Sequence, residues 1–429
     1  MSIQDLPRPS PIQLAWQDME VGMFFHFDIV TYAHGWDFRS WANLPDPNVY
    51  NPVELDTDQW MEAAKAIGAK YAVFVAKHCS GFLQWQTDIY PYGVKQTRWR
   101  NGKGDVVRDF VESCHKYNIK PGIYASVTAN GYLEVDNPGL TNRGKGGDQE
   151  KQAKYAKICE QMLTELWSNY GELTEVWFDG GALPPKQGGP DMIPLLKKLQ
   201  PNAIVFQGPL ANIRWVGNEA GKAGYPCWST VKNLESLSNN QMAVHGDPDG
   251  ELWLPAECDV PVRNHEWFWG PDQEYKLYSL DELVDMYYRS IGQNCNLLLN
   301  ANPAPDGLIP EADFKRYTEF GNEIRRRFET PVAETSGEGE ILELELDRIT
   351  RIDHVIIMED IAYGERIRSY VIEGLIGSEW RKICQGISVG HKRIEKFDAV
   401  EASSIRLRII KSVAKPLIRK LAVYYVSSV

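Results

Sequence analysis

A carboxylate stands at the end of a hydrophobic run in LTEVWFDGGALPP, residues 173–185. The apolar residues predict a buried strand, Asp179 comes at its end, and Gly180 and Gly181 follow. Because glycines let a ligand approach the backbone closely, Asp179 could attack or stabilise a bound reactant. Capping of the turn by this aspartate is an equally good interpretation when the residue is considered alone.

Hydrolysis of a glycosidic bond needs two carboxyl groups, one that attacks or stabilises and one that donates a proton. Candidates for the second group are the glutamates Glu219, Glu251, Glu257 and Glu266. Glu219 lies in RWVGNEAG, between glycines that give a loop freedom to move. Residue types alone do not rank Glu219 above the other three.

Aromatic residues are dense in the segments expected to form loops near these acids. Their flat apolar faces suit the hydrophobic side of a sugar ring, while His, Asn and Gln side chains suit its hydroxyls. Many of these rings will simply belong to the core. The aromatic residues concerned are Trp36, Trp41, Trp85, Trp177, Trp215, Trp228, Trp253, Trp267, Phe268 and Trp269.

From about residue 21 to residue 328, short apolar runs alternate with amphipathic segments that begin with acids and end with Gly or Asn. This pattern predicts parallel strands joined by helices, and its length favours a (β/α)8-like barrel over a doubly wound sheet. The predicted strands are 21–27, 70–78, 120–127, 173–180, 203–208 and 295–303.

Polar or aromatic residues lie at the ends of these strands, and the C-terminal strand ends form the active face of barrel enzymes. This placement favours a catalytic role for Asp179 over a capping role. The residues at the strand ends are His26, Asp28, Lys77, His78, Tyr124, Ser126, Trp177, Asp179, Gln207 and Asn300.

The stretch 209–275 is rich in Trp, Gly and Pro, which predicts functional loops with one or two short strands and an irregular barrel there. After a polar linker, apolar and polar residues alternate, which predicts an antiparallel β-sandwich. We therefore predict a catalytic barrel at 1–330 and a sandwich like that of carbohydrate-binding modules at 331–429. The sandwich lacks a residue set typical of a sugar site, so we expect it to pack on the barrel.

Composition argues against several classes of partner. With 46 Lys and Arg against 58 Asp and Glu, the net charge is −12, which disfavours nucleic acid and anionic membranes. No apolar run is long enough to span a bilayer. The seven cysteines lack zinc-site or disulfide spacing, and His26-x-Asp28 lacks a second strand-borne pair, so we expect no metal site.

The chain resembles glycoside hydrolase family 29, the α-L-fucosidases. The similar segments occur in the family's order over most of residues 20–330, and such a series is far more specific than any single motif. They include GMFFHFDIVTY, KYAVFVAKHCSGFLQWQT, NGKGDVV, KPGIYASV, LTEVWFDGG, RWVGNEAG and NLLLNANPAPDGLIPEAD.

The resemblance implies a retaining exo-glycosidase that removes terminal α-L-fucosyl residues from glycans and needs no metal or organic cofactor. Asp179 matches the family nucleophile, and Glu219 matches the acid/base of the branch selective for branched fucosides. A linkage preference like that of the 1,3-α-L-fucosidases is the narrower expectation. The sugar-binding positions implied are His26, His78, Tyr124, Trp177, Trp36, Arg263 and Trp269.

The resemblance also favours a secreted or periplasmic protein whose leader is absent from this chain, and it leaves the oligomeric state open. Three positions depart from the family pattern: Asp28 replaces a common Gly, Gly35 a common Glu, and Cys79 a second sugar-binding His. Lost hydroxyl partners change which sugar fits a site. Two alternatives therefore stay open: the same mechanism on another L-fuco-configured sugar such as L-galactose, and a non-catalytic glycan-binding protein.

Overall fold

The computed structural model describes residues 6–426, so the outermost residues of both predicted domains, 1–5 and 427–429, lie outside it. The strands are β1 Val21–Phe25, β2 Tyr71–Lys77, β3 Lys120–Ala125, β4 Glu175–Trp177, β5 Ile204–Phe206, β6 Arg214–Trp215, β7 Thr230–Val231, β8 Leu252–Trp253, β9 Ala256–Pro261, β10 Cys295–Ala301, β11 Ala333–Glu338, β12 Ile341–Glu359, β13 Ile367–Ile376, β14 Glu379–Gly386, β15 Arg393–Ser412 and β16 Leu417–Tyr424.

The helices begin where the sequence supplies caps. Asp56, Asp105 and Asp148 each accept a hydrogen bond from a backbone N–H of the first turn, and Ser279 forms a capping box with Glu282. The helices are α1 Pro11–Gln17, α2 Thr57–Ala66, α3 Val106–Lys116, α4 Gln149–Ser168, α5 Met192–Leu199, α6 Asn240–His245, α7 Leu280–Arg289 and α8 Glu311–Phe328.

Eight parallel strands form one sheet in the order β5-β4-β3-β2-β1-β10-β9-β6. A parallel bridge between Phe206, at the end of β5, and Ile213, just before β6, brings the two outer strands together. The sheet is therefore a nearly closed barrel, which confirms the predicted (β/α)8-like fold. The irregular stretch 209–275 supplies two of its strands, β6 and β9, in addition to the antiparallel pair β7 and β8.

The inside of the barrel is filled by large aromatic side chains. Phe24, Tyr71, Tyr124 and Trp177 are all buried there, and Trp16 of α1 packs against Tyr71 with ring centroids 6.4 Å apart. The indole N–H of Trp16 donates to Glu175 at the start of β4, which places α1 across the N-terminal end of the barrel. The opposite, C-terminal end is consequently the one open to a substrate.

The second sheet is antiparallel, in the order β11-β16-β12-β15-β13-β14, and encloses its own apolar core. The long strands β12 and β15 shift register twice, as the strands of a folded-over sheet must. The predicted antiparallel β-sandwich is confirmed. Among residues 6–426, no helix is both long enough and apolar enough to cross a membrane.

The antiparallel sheet packs against the barrel through buried charges. The carboxylate of Glu20, next to β1, accepts a hydrogen bond of 2.5 Å from the ammonium of Lys392, and it lies 3.1 Å from Nε2 of His391. Glu365 accepts from the backbone N–H of Ser229 and, at 2.6 Å, from the side chain of Asn294. These contacts fit the expected packing role of the C-terminal sheet.

Candidate active site

Asp179 lies two residues after the short strand β4 at the open end of the barrel, where it is half-buried. Its Oδ2 accepts a hydrogen bond of 3.0 Å from the hydroxyl of Tyr124, and its backbone carbonyl accepts one of 2.8 Å from Thr128. Gly180 and Gly181 have φ values of +67° and +81°, a region that favours glycine, and they turn the chain away from the carboxylate. Asp179 therefore projects from a rigid strand end into the mouth of the barrel.

The pKa of Asp179 is raised, chiefly because burial disfavours its charged form. The Tyr124 hydroxyl opposes this rise because it stabilises the carboxylate. The charge of Glu219 also raises the pKa, so the two carboxyl groups interact electrostatically. In contrast to Oδ2, Oδ1 of Asp179 has no hydrogen-bond partner among residues 6–426.

Glu219 lies on the exposed loop after β6, and its Oε2 accepts a hydrogen bond of 3.1 Å from the indole N–H of Trp267. Trp267 in turn lies against the His26 ring, with centroids 4.9 Å apart. Gly217 and Gly221 flank Glu219 with φ values of +86° and +65°. The loop thus returns a carboxyl group to the barrel mouth, on the side of the first strand.

The other candidate glutamates lie elsewhere. Glu251 is exposed beside the β7–β8 pair, and Glu266 forms an ion pair with Lys276. Glu257 is fully buried inside the barrel. Of the four glutamates, Glu219 is therefore the one held next to the aromatic residues of the barrel mouth.

Four predicted sugar-binding residues form one cluster beside Asp179. Trp177 stacks on Tyr124 with centroids 5.2 Å apart and planes at 24°, and His78 stacks on the same tyrosine at 5.7 Å and 20°. His26 approaches His78 at 5.8 Å. The structure therefore brings His26, His78, Tyr124 and Trp177 together.

Both histidines are neutral because burial lowers their pKa values, that of His26 to about 3 and that of His78 well below its usual range. His26 Nδ1 lies 2.7 Å from Oδ1 of Asn300, whose amide donates to the carbonyl of Trp267 and to Asn302. Because the Asn300 oxygen must then be the acceptor, His26 carries its proton on Nδ1 and presents the lone pair of Nε2.

Arg263 does not join this cluster. It is 1% exposed, and its guanidinium forms a bidentate ion pair with Asp313 at 2.9–3.2 Å. Arg263 also makes backbone bridges to Glu266 and Leu277, so it holds the base of the loop that carries Trp267. These contacts give Arg263 a supporting position beneath the site.

Trp36 and Trp269 are the remaining predicted sugar-binding residues, and each belongs to a loop that follows a barrel strand. Trp36 is half-buried in the loop after β1, and its ring edge lies 3.4 Å from where a Cβ on Gly131 would stand. Trp269 is half-buried too, and within residues 6–426 no ring contact joins it to His26 or His78. Phe268 makes those contacts instead, at 5.3 Å from His26 and 5.0 Å from His78.

Two departures from the family pattern have clear structural settings. Asp28 is fully buried and accepts hydrogen bonds of 2.6 Å from Ser80 and from the backbone of Val30; burial raises its pKa to about 6. Gly35 is exposed with φ +82°, and across residues 6–426 no atom lies within 4 Å of where its Cβ would stand. Asp28 thus supports the first loop, and Gly35 leaves open space at the rim.

Cys79, the third departure, points into the site itself. Its Sγ lies 4.0 Å from Oδ2 of Asp179 and 3.9 Å from Oγ of Ser126. Burial raises the pKa of the thiol to about 11, so the group is neutral at ordinary pH. A small, weakly polar thiol therefore lies beside the carboxylate that follows β4.

A pair of buried glutamates supports the floor of the site, which the sequence did not predict. Glu257 on β9 accepts a hydrogen bond of 3.1 Å from the indole N–H of Trp177 and one of 2.7 Å from the hydroxyl of Tyr71. Burial raises the pKa of Glu257 to about 7 and that of Glu175 well above its usual range. Among residues 6–426, no group donates a hydrogen bond to Oε1 of Glu175. This is expected if Glu175 is protonated and its own carboxyl group donates a hydrogen bond to Glu257.

Asp259 is a further acid at the barrel mouth, two residues beyond Glu257 on β9. It is 3% exposed, and its Oδ1 accepts a hydrogen bond of 2.7 Å from the indole N–H of Trp215. Burial and the charge of Glu257 raise the pKa of Asp259 well above its usual range, and Glu219 adds to the rise. Residues two apart on a strand point to the same face, so the spacing of Glu257 and Asp259 was the signal in the sequence that both side chains face inward.

Comparisons with known proteins identify the family of this chain. The family model described as Alpha-L-fucosidase matches residues 3–327. "Alpha-L-fucosidase 1" of Arabidopsis thaliana is 32% identical over 466 aligned positions, covering 98% of this chain and 88% of the relative.

Solved structures show the same architecture. A "putative alpha-L-fucosidase" from Bacteroides thetaiotaomicron VPI-5482 is 43% identical and superposes with a TM-score of 0.95, covering 98% of this chain and 100% of the other. A Ruminococcus gnavus GH29 fucosidase in complex with fucose has a TM-score of 0.85 at 24% identity, covering 98% and 95% of the two chains. At that identity, the second likeness shows the fold alone.

Proposed function

Because the chain belongs to the α-L-fucosidase family, we propose that it is a retaining exo-glycosidase with Asp179 as nucleophile and Glu219 as general acid/base. The observation that carries the proposal is the pair of carboxyl groups at the barrel mouth. Asp179 lies on a rigid strand end, Glu219 lies on a loop, and the charge of Glu219 raises the pKa of Asp179. This combination suits one group that attacks and one that reaches a departing oxygen.

In the first step, Asp179 attacks the anomeric carbon of the sugar, and the bond to the aglycone oxygen breaks. Glu219 donates its proton to that oxygen, so the aglycone leaves neutral and a glycosyl ester remains on Asp179. In the second step, Glu219 takes a proton from water, which attacks the same carbon and frees Asp179. Two inversions give retained configuration.

The hydrogen bond from Tyr124 selects which Asp179 oxygen reacts. Oδ2 accepts from the tyrosine, whereas Oδ1 has no partner among residues 6–426 and has the more available lone pairs. The same bond lowers the pKa of Asp179 and so opposes the effect of burial. We therefore assign the attack to Oδ1.

The sugar would lie against the cluster formed by His26, His78, Tyr124 and Trp177. The Nε2 lone pair of His26 can accept from a hydroxyl, and the His78 ring, which has no hydrogen-bond partner in the described part of the chain, can serve another. The Trp177 indole, which stacks on both Tyr124 and Phe206, supports this surface from below. Trp36 and Trp269 are proposed to contact the aglycone side.

We propose terminal α-L-fucosides of glycans as substrates, with branched fucosides preferred. The exposed position of Glu219 supports a leaving group that extends out of the barrel. L-Galactosides, which carry a hydroxymethyl group in place of the fucose methyl, are the alternative outcome of the test. Loss of activity on every glycoside would leave a glycan-binding role.

The test compares hydrolysis of nitrophenyl α-L-fucoside, a branched Lewis-type fucosylated oligosaccharide and nitrophenyl α-L-galactoside by wild type and Asp179→Asn. The proposal expects fucoside cleavage that the substitution abolishes. Faster cleavage of the galactoside would reassign the substrate and keep the mechanism. Equal activity of the variant would refute the role of Asp179.

A further inference from the structure

Three side chains of different chemistry converge in the barrel mouth. His78, Cys79 and Asp179 each offer one metal-ligand atom, and these three atoms all lie within 4.8 Å of one another. Within this group, Sγ of Cys79 and Oδ2 of Asp179 are 4.0 Å apart. A nitrogen, a sulfur and a carboxylate oxygen are the ligand types that zinc and cadmium accept together.

Each of the three groups is free to coordinate. Within residues 6–426, the His78 ring makes ring contacts but no hydrogen bond, so its nitrogen lone pair is available. Cys79 makes long contacts to Ser126, at 3.9 Å, and to Asp179, at 4.0 Å, and its thiol also interacts with the hydroxyl of Tyr124. Asp179 uses Oδ2 for Tyr124 and keeps Oδ1 unpartnered. No strong interaction has to break before the groups can bind an ion.

We propose that His78, Cys79 and Asp179 form a site for a thiophilic divalent cation, represented by Cd²⁺ or Zn²⁺, and that the bound ion inhibits the enzyme. This inference goes beyond the proposed function, which needs no ion. The ion is an inhibitor and occupies the position that the substrate needs.

The geometry requires only small side-chain movements. In a tetrahedral zinc site with bonds of about 2.0–2.3 Å, the ligand atoms lie roughly 3.3–3.8 Å apart. The three atoms therefore have to approach one another by about 1 Å, which side-chain rotation can supply. Water can fill the fourth position, as in zinc sites with three protein ligands.

The charges balance on binding. The Cys79 thiol loses its proton to solvent as the sulfur–metal bond forms, and the thiolate and the Asp179 carboxylate together neutralise the divalent ion. Lys77 is a buried cation nearby, and its positive charge disfavours the binding of a metal ion. Its ammonium is occupied by the carbonyls of Ser126, at 2.9 Å, and Ala129, at 2.5 Å, so it does not lie among the ligands.

Inhibition follows directly from the identity of the ligands. A carboxylate that coordinates a cation shares its negative charge with the ion, so it is a much weaker nucleophile toward the anomeric carbon. The ion and the sugar also need the same space beside His78 and Tyr124. Binding of the cation and binding of the sugar should therefore exclude each other.

The test titrates the full-length, metal-free protein with Cd²⁺ and follows two signals, the ultraviolet charge-transfer band of a cadmium–thiolate bond and the heat of binding. Neither signal requires catalysis. The protein could therefore lack the ion site and still be a fucosidase, or bind the ion and have no fucosidase activity. We expect one ion per chain, a thiolate band, and release of the ion by free L-fucose. Removal of a ligand in Cys79→Ser should abolish the band and weaken binding by at least about tenfold.

Two control variants make the assignment specific. Asp179→Asn should weaken cadmium binding, whereas Glu219→Gln, which alters a carboxyl group of the same site outside the cluster, should not. Cys227 and Cys295 are another close thiol pair, with Sγ atoms 3.5 Å apart, so Cys227→Ser must keep the band. A band that survives Cys79→Ser, a band lost in Cys227→Ser, or no cadmium binding at all would overturn the proposal.

Discussion

The indole Nε1 of Trp177 donates a hydrogen bond of 3.1 Å to Oε1 of Glu257, which joins the floor of the proposed sugar site to an acid buried inside the barrel. Trp177 also stacks on Tyr124, the residue that donates to Asp179. The position of the proposed nucleophile therefore depends on a group that is fully buried. Glu175, the neighbour of Glu257, is held in turn by Trp16 of α1.

Replacement of Glu257 by Gln should weaken substrate binding. Gln lacks the negative charge that strengthens the hydrogen bonds from Trp177 and Tyr71, and one of its two polar atoms cannot accept. We expect KM to rise and kcat/KM to fall by about tenfold, with kcat changed less. Glu175→Gln is the matched control, because Gln resembles the protonated acid expected there and should stay near wild type. Equal kinetic losses in both variants would contradict this division of roles.

Tyr124→Phe should move the acidic limb of the pH–rate profile. The tyrosine hydroxyl lowers the pKa of Asp179, so its loss should raise that pKa further. The nucleophile is active only when ionised, that is, above its pKa, so the limb should shift to higher pH. The measurement is kcat/KM against pH for both proteins. A limb at the wild-type position would remove Tyr124 from the ionisation of Asp179.

Glu219→Ala should damage cleavage of oligosaccharides more than cleavage of nitrophenyl fucoside. Nitrophenolate leaves without protonation, whereas a sugar alcohol needs a proton donor, so the loss on the branched substrate should be about 10²–10⁴-fold. Azide, a nucleophile that needs no general base, should restore turnover of the nitrophenyl substrate. Glu251→Ala, a change on an exposed loop, is the control. Similar losses on both substrates without rescue would contradict an acid/base role.

His26 should make the fold sensitive to acid. Its pKa is lowered from about 6.5 in the unfolded chain to about 3 in the folded protein, so the unfolded state binds more protons in that interval. The associated stability is complete above pH 6.5 and is lost as pH falls toward 3, at about 1.4 kcal/mol per unit. Urea unfolding measures the free energy of unfolding of wild type and of His26→Gln. The difference in favour of wild type should be smaller by about 2 kcal/mol at pH 5 than at pH 7. An unchanged difference would show that His26 is not held neutral.

The barrel and its strand-end residues were predictable because periodicity and strand ends are local signals. The six predicted strands correspond to β1–β5 and β10, and their ends carry His26, His78 and Asp179. β6 is two residues long, and β9 contains Glu257 and Asp259 at inward positions, so neither has the apolar run by which a buried strand is recognised. Their place in the barrel depends on pairing between strands that are distant in the sequence, and on nothing local.

Contacts across the chain were the part that sequence could not predict. Glu219 and Glu257 looked equivalent as candidate acids, and only folding separates an exposed loop from a buried strand. Arg263 and Trp269 were predicted as sugar-binding residues from the resemblance, and the sequence did not show that Arg263 forms an ion pair with Asp313 on α8. Nor did it show that Phe268, next to Trp269, contacts His26 and His78, because the path of an irregular loop decides which neighbouring ring makes such contacts.

Identification of the covalent intermediate would decide whether Asp179 is the nucleophile. Brief reaction with a fluorinated fucosyl fluoride, which slows breakdown of a glycosyl ester, should add one sugar per chain, and mass spectrometry of the digested protein should place it on Asp179. Asp179→Asn should remain unlabelled. Label on another carboxylate, or rapid turnover with no label and inverted product, would contradict the assignment of Asp179 as the nucleophile.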